Sequence, residues 1–153
     1  MTGQARPERL PRRLRVTRGL RYRNNVIAVL IDLGVVAHSY VMTTRGRRTG
    51  RLRRTPVTLV EHDDGRRWLV APHGPVSWVH NARAAGMVSL RRGSRVTAYR
   101  VREVDPGAAG AILQEYQRVS PGARSYFHAG SKAPVEEYAA EAHLHPVFEL
   151  LPR

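Results

Sequence analysis

The sequence predicts a small antiparallel β-barrel with helices at its edge, a mainly β (α+β) single domain. Three observations carry this. At 153 residues the chain has room for one ordinary hydrophobic core and not for two. An apolar fraction of 42% supports a packed globule over a disordered tail. From Val35 to Leu151, short runs rich in valine, threonine and aromatic residues alternate with Gly, Pro and Asp turns.

The first 17 residues show no apolar period and read as a basic leader, so the domain is taken as 18–153. Tyr22, Val26, Val29, Leu30 and Leu33 follow one helical face from Arg18 to Leu33, and Gly34 is placed to end that helix. Val35 to Thr44 reads as a strand, Arg45 to Arg51 as a polar turn, and Leu52 to His62 as a second strand with Pro56 near its start or at a bulge. Asp63-Asp64-Gly65 returns the chain as a hairpin into a third strand, Arg66 to Pro72. His73-Gly74-Pro75 breaks the sheet. Ser77 is positioned to cap a short helix through Ala85, closed by Gly86. Met87 to Arg91 and Arg95 to Val104 form a hairpin about Arg92-Gly93-Ser94. Asp105-Pro106 starts a helix that runs to Ser120, and Pro146 to Leu151 closes the sheet.

Composition narrows the chemistry. There are no cysteines, which excludes disulfides, thiolate metal sites and cysteine nucleophiles. Seven histidines include no H-x-x-x-H pair, so no metal site is expected. The net charge of +14 points to an anionic partner: nucleic acid, an anionic membrane surface or a phosphorylated small molecule. Lys132 is the single lysine among 26 basic residues, a bias that looks like codon composition and argues for discounting many arginines as solvated surface.

Eight arginines in the first 25 residues precede the apolar stretch Val26 to Ala37, the order of a signal peptide. Asp32 interrupts the apolar run, however, and the run is too short to span a membrane. The segment reads instead as a basic leader feeding an amphipathic helix that packs on the domain or brushes a membrane surface, in a cytoplasmic protein.

Two segments carry chemistry. The first runs from Thr43 to Pro56, with six arginines among the ten residues from Arg45 to Arg54. Gly46 and Gly50 relax the backbone so that a turn can present N–H groups to an anion, and arginine forks match phosphate oxygens two at a time. It is neither a Walker A loop nor G-x-G-x-x-G. A solvated hairpin tip and a nucleic-acid contact remain alternatives. The second segment, Ala71 to Asn81, makes a strand end, a Gly/Pro break and a helix start. Trp78 and Asn81 share a helix face there, either walling a planar ring or, for Trp78, anchoring the helix to the core.

Together, T-T-R-G-R-R-T-G…R-x-T-P, the strand ending V-A-P-x-G, W-V-x-N-A-R-A-A-G and L-R-R-G resemble the deazaflavin-dependent nitroreductase family. The likeness runs from about Arg18 to the end, weakens between Ser120 and His143, and returns at His145-Pro146-Val147-Phe148. It implies a split β-barrel of the FMN-binding type and coenzyme F420, with FMN as the lesser alternative. It implies that Thr44, Arg45, Arg47, Arg48, Thr49, Gly50, Arg53 and Arg54 grip the cofactor's anionic tail. Thr55, Pro56 and Val57 would run beside the deazaflavin ring, and Ala71, Pro72, His73, Gly74, Trp78 and Asn81 would shape its pocket. Many relatives have a longer loop where this chain has Gly74-Pro75-Val76-Ser77.

A reduced deazaflavin donates hydride, so orientation and exclusion of water are the protein's main tasks. Tyr126, His73 and Ser77 are candidate proton donors, each with a packing or capping role as the alternative. Asp105 is better explained as a helix cap, and Arg91, Arg92, Arg95, Arg100 and Arg102 as a solvated hairpin face. The functional expectation is an F420H2-dependent reductase acting on a hydrophobic quinone, enone or nitro compound. A cofactor carrier and a basic nucleic-acid module are the alternatives; the nucleic-acid partner is not favoured, because aromatics are few and poorly interleaved with the charge. A homodimer is an open alternative that split barrels offer.

Overall fold

The computed structural model describes residues 37–153. The expected leader and the Arg18–Leu33 helix lie outside the described residues. Six strands form a closed antiparallel barrel: β1 (Ser39–Arg45), β2 (Leu52–Glu61), β3 (Arg67–Val70), β4 (Met87–Arg92), β5 (Arg95–Glu103) and β6 (Val147–Pro152). Around the barrel the order is β1-β2-β3-β6-β5-β4, with β4 returning to β1. Helix α1 (Ser77–Ala85) links β3 to β4, while α2 (Gly110–Val119) and α3 (Val135–Glu141) lie between β5 and β6.

Strand alternation divides the core in two. Met42, Leu59, Leu69, Val88, Leu90, Phe148 and Leu150 point inward and are joined by Trp78, Val79 and Ala82 of α1. The opposite faces of β2, β3 and β6 carry Val60, Trp68, Val70 and Val147, which pack under Leu113, Tyr116 and Tyr138 of the outer helices. Both faces of β2 and β3 are thus covered at their paired ends, and full burial of each such aliphatic side chain contributes about 1.5–3 kcal/mol.

Most expected elements form where the sequence places them. Gly86 ends α1 in the left-handed region at φ 67°, and Gly93-Ser94 turns the β4–β5 hairpin with Arg92 paired to Arg95. The helix expected from Asp105 is divided in two. The Asp105 carboxylate accepts the Gly107 N–H at 2.8 Å and caps only a short 3-10 turn, Pro106–Ala108. The α-helix proper begins at Gly110, where the chain is pressed against α3. A Cβ there would meet the Val135 carbonyl oxygen at 2.9 Å.

Between α2 and β6, where the sequence suggested no element, lie a 3-10 segment (Pro121–Tyr126), α3 and a second 3-10 turn (Ala142–Leu144). A buried polar network holds them. The Tyr138 hydroxyl shares its one proton between two acceptors, Gln117 Oε1 at 2.7 Å and the Gly130 carbonyl at 2.9 Å, and Gln117 Nε2 donates to the Ala129 carbonyl.

No helix among the described residues is long and apolar enough to cross a membrane.

Candidate functional site

The arginine-rich turn is a built structure. Arg45 pairs with Leu52, leaving Gly46 to Arg51 as the loop. The Gly46 N–H donates to the Arg51 carbonyl at 2.7 Å, and the Gly50 N–H donates back to the Gly46 carbonyl at 2.8 Å. A Cβ on Gly46 would lie 3.0 Å from Thr49 Oγ1 and 3.1 Å from the Arg51 carbonyl oxygen, so any side chain there would push the Thr49 hydroxyl and the Arg51 carbonyl outward by a few tenths of an ångström. The Thr49 hydroxyl accepts the Arg51 N–H, and Arg45 Nη1 reaches the Gly50 carbonyl. Both residues build the loop as well as decorate it.

Asn81, 3% exposed on α1, fixes this loop to the barrel. Its Oδ1 accepts the Arg47 backbone N–H at 3.2 Å and Arg47 Nη1 at 3.1 Å, while its Nδ2 donates to Thr44 Oγ1 at 3.4 Å. The amide expected beside a ring is therefore engaged by the turn. Trp78, one helical turn earlier, is 8% exposed and packs on Phe148 with ring centroids 5.9 Å apart, in the inner core.

Strand register sorts the remaining turn residues. Thr44 lies opposite Arg53, Met42 opposite Thr55, and Tyr40 opposite Val57. Since Met42 is fully buried inside the barrel, Arg53, Thr55 and Val57 share its inward face, and Arg54 and Pro56 point the other way. The Leu59 N–H bonds to the His38 carbonyl in β1's direction, so the nitrogen of Pro56 faces the opposite edge. Strand β3 pairs only with Leu59 to Glu61. Among the described residues the edge of β2 before Leu59 thus has no partner strand. Proline, with no N–H to leave unpaired, suits that opening.

The Ala71–Gly74 turn docks on the segment before β6. The Ala71 N–H bonds to the Pro146 carbonyl at 2.8 Å, and Gly74 has φ 87° with its Cα side against the Leu144 carbonyl. Ser77 does not cap α1 as expected. Gly74 and Pro75 turn so tightly that the Val76 N–H bonds to the Gly74 carbonyl at 2.8 Å, which puts Val76 in the cap position and leaves Ser77 as the first helical residue, exposed.

His73 and Tyr126, separated by 53 positions in the chain, meet edge-to-face with centroids 4.1 Å apart and planes at 83°. His73 Nδ1 is buried without a hydrogen-bond partner. Burial, reinforced by neighbouring His145, lowers the His73 pKa, so its ring is neutral near neutral pH. Ser77 makes no hydrogen bond to either ring. Tyr126 comes from the weakly matching stretch, and no periodicity in the sequence signals its approach to His73. The same holds for Glu141 and His145, two buried polar residues behind the turn.

This donor set fits an anionic cofactor with a planar ring. Arg48, Arg51 and Arg53 are exposed and their guanidinium groups have no partner among the described residues, on a loop whose backbone is already fixed. The open β2 edge at Pro56 lies beside it.

A closed six-stranded antiparallel barrel of this topology with helices against it is a split β-barrel. Solved structures share it: a putative pyridoxamine 5′-phosphate oxidase from Listeria innocua (12% identity, 84% of this chain and 91% of that one, TM-score 0.50) and an FMN-binding protein from Nostoc punctiforme (12% identity, 84% and 78%, TM-score 0.50). A structure of an F420-H2 dependent reductase, FDR-A, matches at 25% identity over 74% of this chain and 94% of that chain, with TM-score 0.53. The model of the F420H2-dependent quinone reductase family matches residues 14–135, and the chain belongs to that family. It is an F420H2-dependent oxidoreductase, and coenzyme F420 is its cofactor. The family and fold expected from the turn and the W-x-x-N helix are both borne out.

Proposed function

We propose that this reductase passes hydride from F420H2 to a hydrophobic quinone, and that the Arg45–Arg54 turn holds the cofactor's anionic tail. The observation that carries this is the pinned loop. Asn81 and Gly46 fix its backbone while Arg48, Arg51 and Arg53 stay exposed with no partner among the described residues, so an anion has only their side chains and not the loop to order. Arg47, Thr44, Thr49 and Gly50 shape the loop. Arg53 reaches the tail from the inward face of β2 and Arg54 from the outward one.

Bound F420H2 supplies the hydride. The chain's own residues orient the two reactants and keep water out. The open edge of β2 along Thr55, Pro56 and Val57 borders one side of the ring, and Ala71, Pro72, His73 and Gly74 close the other. Trp78 supports that wall from the core. A quinone that accepts hydride also needs a proton on oxygen, and the Tyr126 hydroxyl supplies it, with its ring held against His73. Exposed Ser77 is the second candidate for that proton, and neutral His73 the third. The family's quinone-reductase name supports the substrate class.

Titrating the protein with oxidised F420 and following its fluorescence tests the binding half. Micromolar affinity at moderate salt is expected; its absence overturns the proposal. Mixing F420H2 with menadione then separates a reductase of quinones from a carrier, which binds but does not accelerate oxidation.

A further inference from the structure

Glu141, at the end of α3, and His145, just before β6, form a pair that the site has not used. Their side chains are 7% and 1% exposed. His145 Nδ1 lies 2.9 Å from the Pro72 carbonyl oxygen. A carbonyl can only accept, so Nδ1 carries the proton. Glu141 Oε2 accepts the His128 backbone N–H at 2.8 Å. Between them, His145 Nε2 and Glu141 Oε1 face each other at 3.4 Å, with no other partner for either atom. The Phe127 ring covers the imidazole with centroids 4.4 Å apart.

These contacts form a strut from Pro72 through His145 and Glu141 to His128, whose middle link is the close approach of Nε2 and Oε1 and becomes a hydrogen bond when a proton lies between those two atoms. One end adjoins His73 in sequence; the other lies two residues beyond Tyr126. The strut therefore spans the same gap as the His73–Tyr126 ring contact, and from behind. Burying two ionisable groups carries a desolvation cost that an apolar pair would avoid, and what a directional pair adds is a defined spacing.

We propose that Glu141 and His145 are positioning residues for the reductase reaction. Their strut sets the distance between the Pro72–Gly74 turn and the Tyr126 segment, and so holds His73 against Tyr126. This rests on the reading that the Ala71–Gly74 turn borders the deazaflavin ring.

Substitutions that each break one link of the strut, set against one that keeps both, separate this role from simple packing. In His145→Asn the amide nitrogen falls where Nδ1 lies and keeps the bond to Pro72 but stops short of Glu141; in His145→Gln the amide reaches toward Glu141 and the Pro72 bond is lost. The first readout is NMR of the cofactor-free protein, following cross-relaxation between the His73 and Tyr126 rings. The second is kcat and KM for menadione, with the F420 Kd measured alongside. His145→Asn and His145→Gln are each expected to lose the ring contact and about tenfold in kcat, with F420 affinity within about twofold. Glu141→Gln, whose amide can donate to His145 Nε2, is expected to keep the ring contact and covers the case of a poorly folding His145 variant. A ring contact kept in either His145 variant, or lost in a folded Glu141→Gln, would overturn the strut. Failure of the wild-type protein to bind F420 would instead overturn the reading beneath it, while the NMR comparison still reports on the strut itself.

Discussion

Asn81 Oδ1 accepts two hydrogen bonds from one residue, the Arg47 backbone N–H at 3.2 Å and Arg47 Nη1 at 3.1 Å. A buried amide on the first helix thereby sets the conformation of an exposed loop on the neighbouring hairpin. Asn81→Ala removes both bonds and the one to Thr44, while the helix keeps a good helix former. Stability should fall by about 1–3 kcal/mol, and F420 affinity by about tenfold. Chemical denaturation and a fluorescence titration check the two effects separately.

The arginines of the turn differ from the arginines elsewhere by position and not by number. Arg47→Glu, which breaks the Nη1 bond to Asn81 and puts a negative charge on the loop, and Arg53→Glu, which turns an attractive contact with the tail into a repulsive one, should each raise the F420 Kd by about a hundredfold. Arg91→Glu, exposed on β4, should change it less than about threefold at moderate salt, where distant charges are screened. Equal losses at all three sites would show that only bulk charge matters.

His73 links the site to pH. Burial and His145 depress its folded pKa below the usual histidine value, so on acidification the unfolded chain takes up a proton before the folded one does. Its contribution to stability is present above about pH 6.5 and is lost as pH falls through that value toward the folded pKa. His73→Phe keeps an aromatic edge against Tyr126 and removes the buried Nδ1. Thermal melts from pH 8 to 5 should show a shallower decline for the variant than for wild type. Turnover should fall if the imidazole takes part in the proton's path.

The contact between α2 and α3 depends on Gly110. A Cβ there would approach the Val135 carbonyl oxygen at 2.9 Å and Ala139 Cβ at 3.0 Å, both on a packed helix. Gly110→Ala should lower stability by about 1–3 kcal/mol despite alanine's better helix propensity. Gly122→Ala, with nothing within 4 Å of its Cβ, should be close to neutral in the same urea titration.

The strands were legible in the sequence because their signals are local. Asp63-Asp64-Gly65 and Gly93-Ser94 mark turns, and alternation gives the faces between them. Gly86 announced the end of α1 in the same way. The Ser77 cap failed because Gly74-Pro75 tightens the link by one residue, a geometric effect that residue type does not reveal. The helix Val135–Glu141 was missed since it stands on Tyr138, whose hydroxyl satisfies partners at Gln117 and Gly130, two sites distant in sequence. At the site the arginine turn was visible through composition and glycine spacing. The bond from Asn81 to Arg47, and the meeting of His73 with Tyr126, are tertiary contacts across 34 and 53 positions that no short-range pattern encodes.

The central claim is that a fixed arginine loop presents F420H2 to a quinone. Rapid anaerobic mixing of menadione with the protein preloaded with F420H2, following the absorbance of the oxidised deazaflavin, tests it most directly. The account predicts oxidation much faster than in protein-free solution, saturating with menadione, and slowed in Arg47→Glu to a degree that tracks its weaker F420 affinity. Oxidation no faster than without protein, at a concentration where F420 is fully bound, would contradict it.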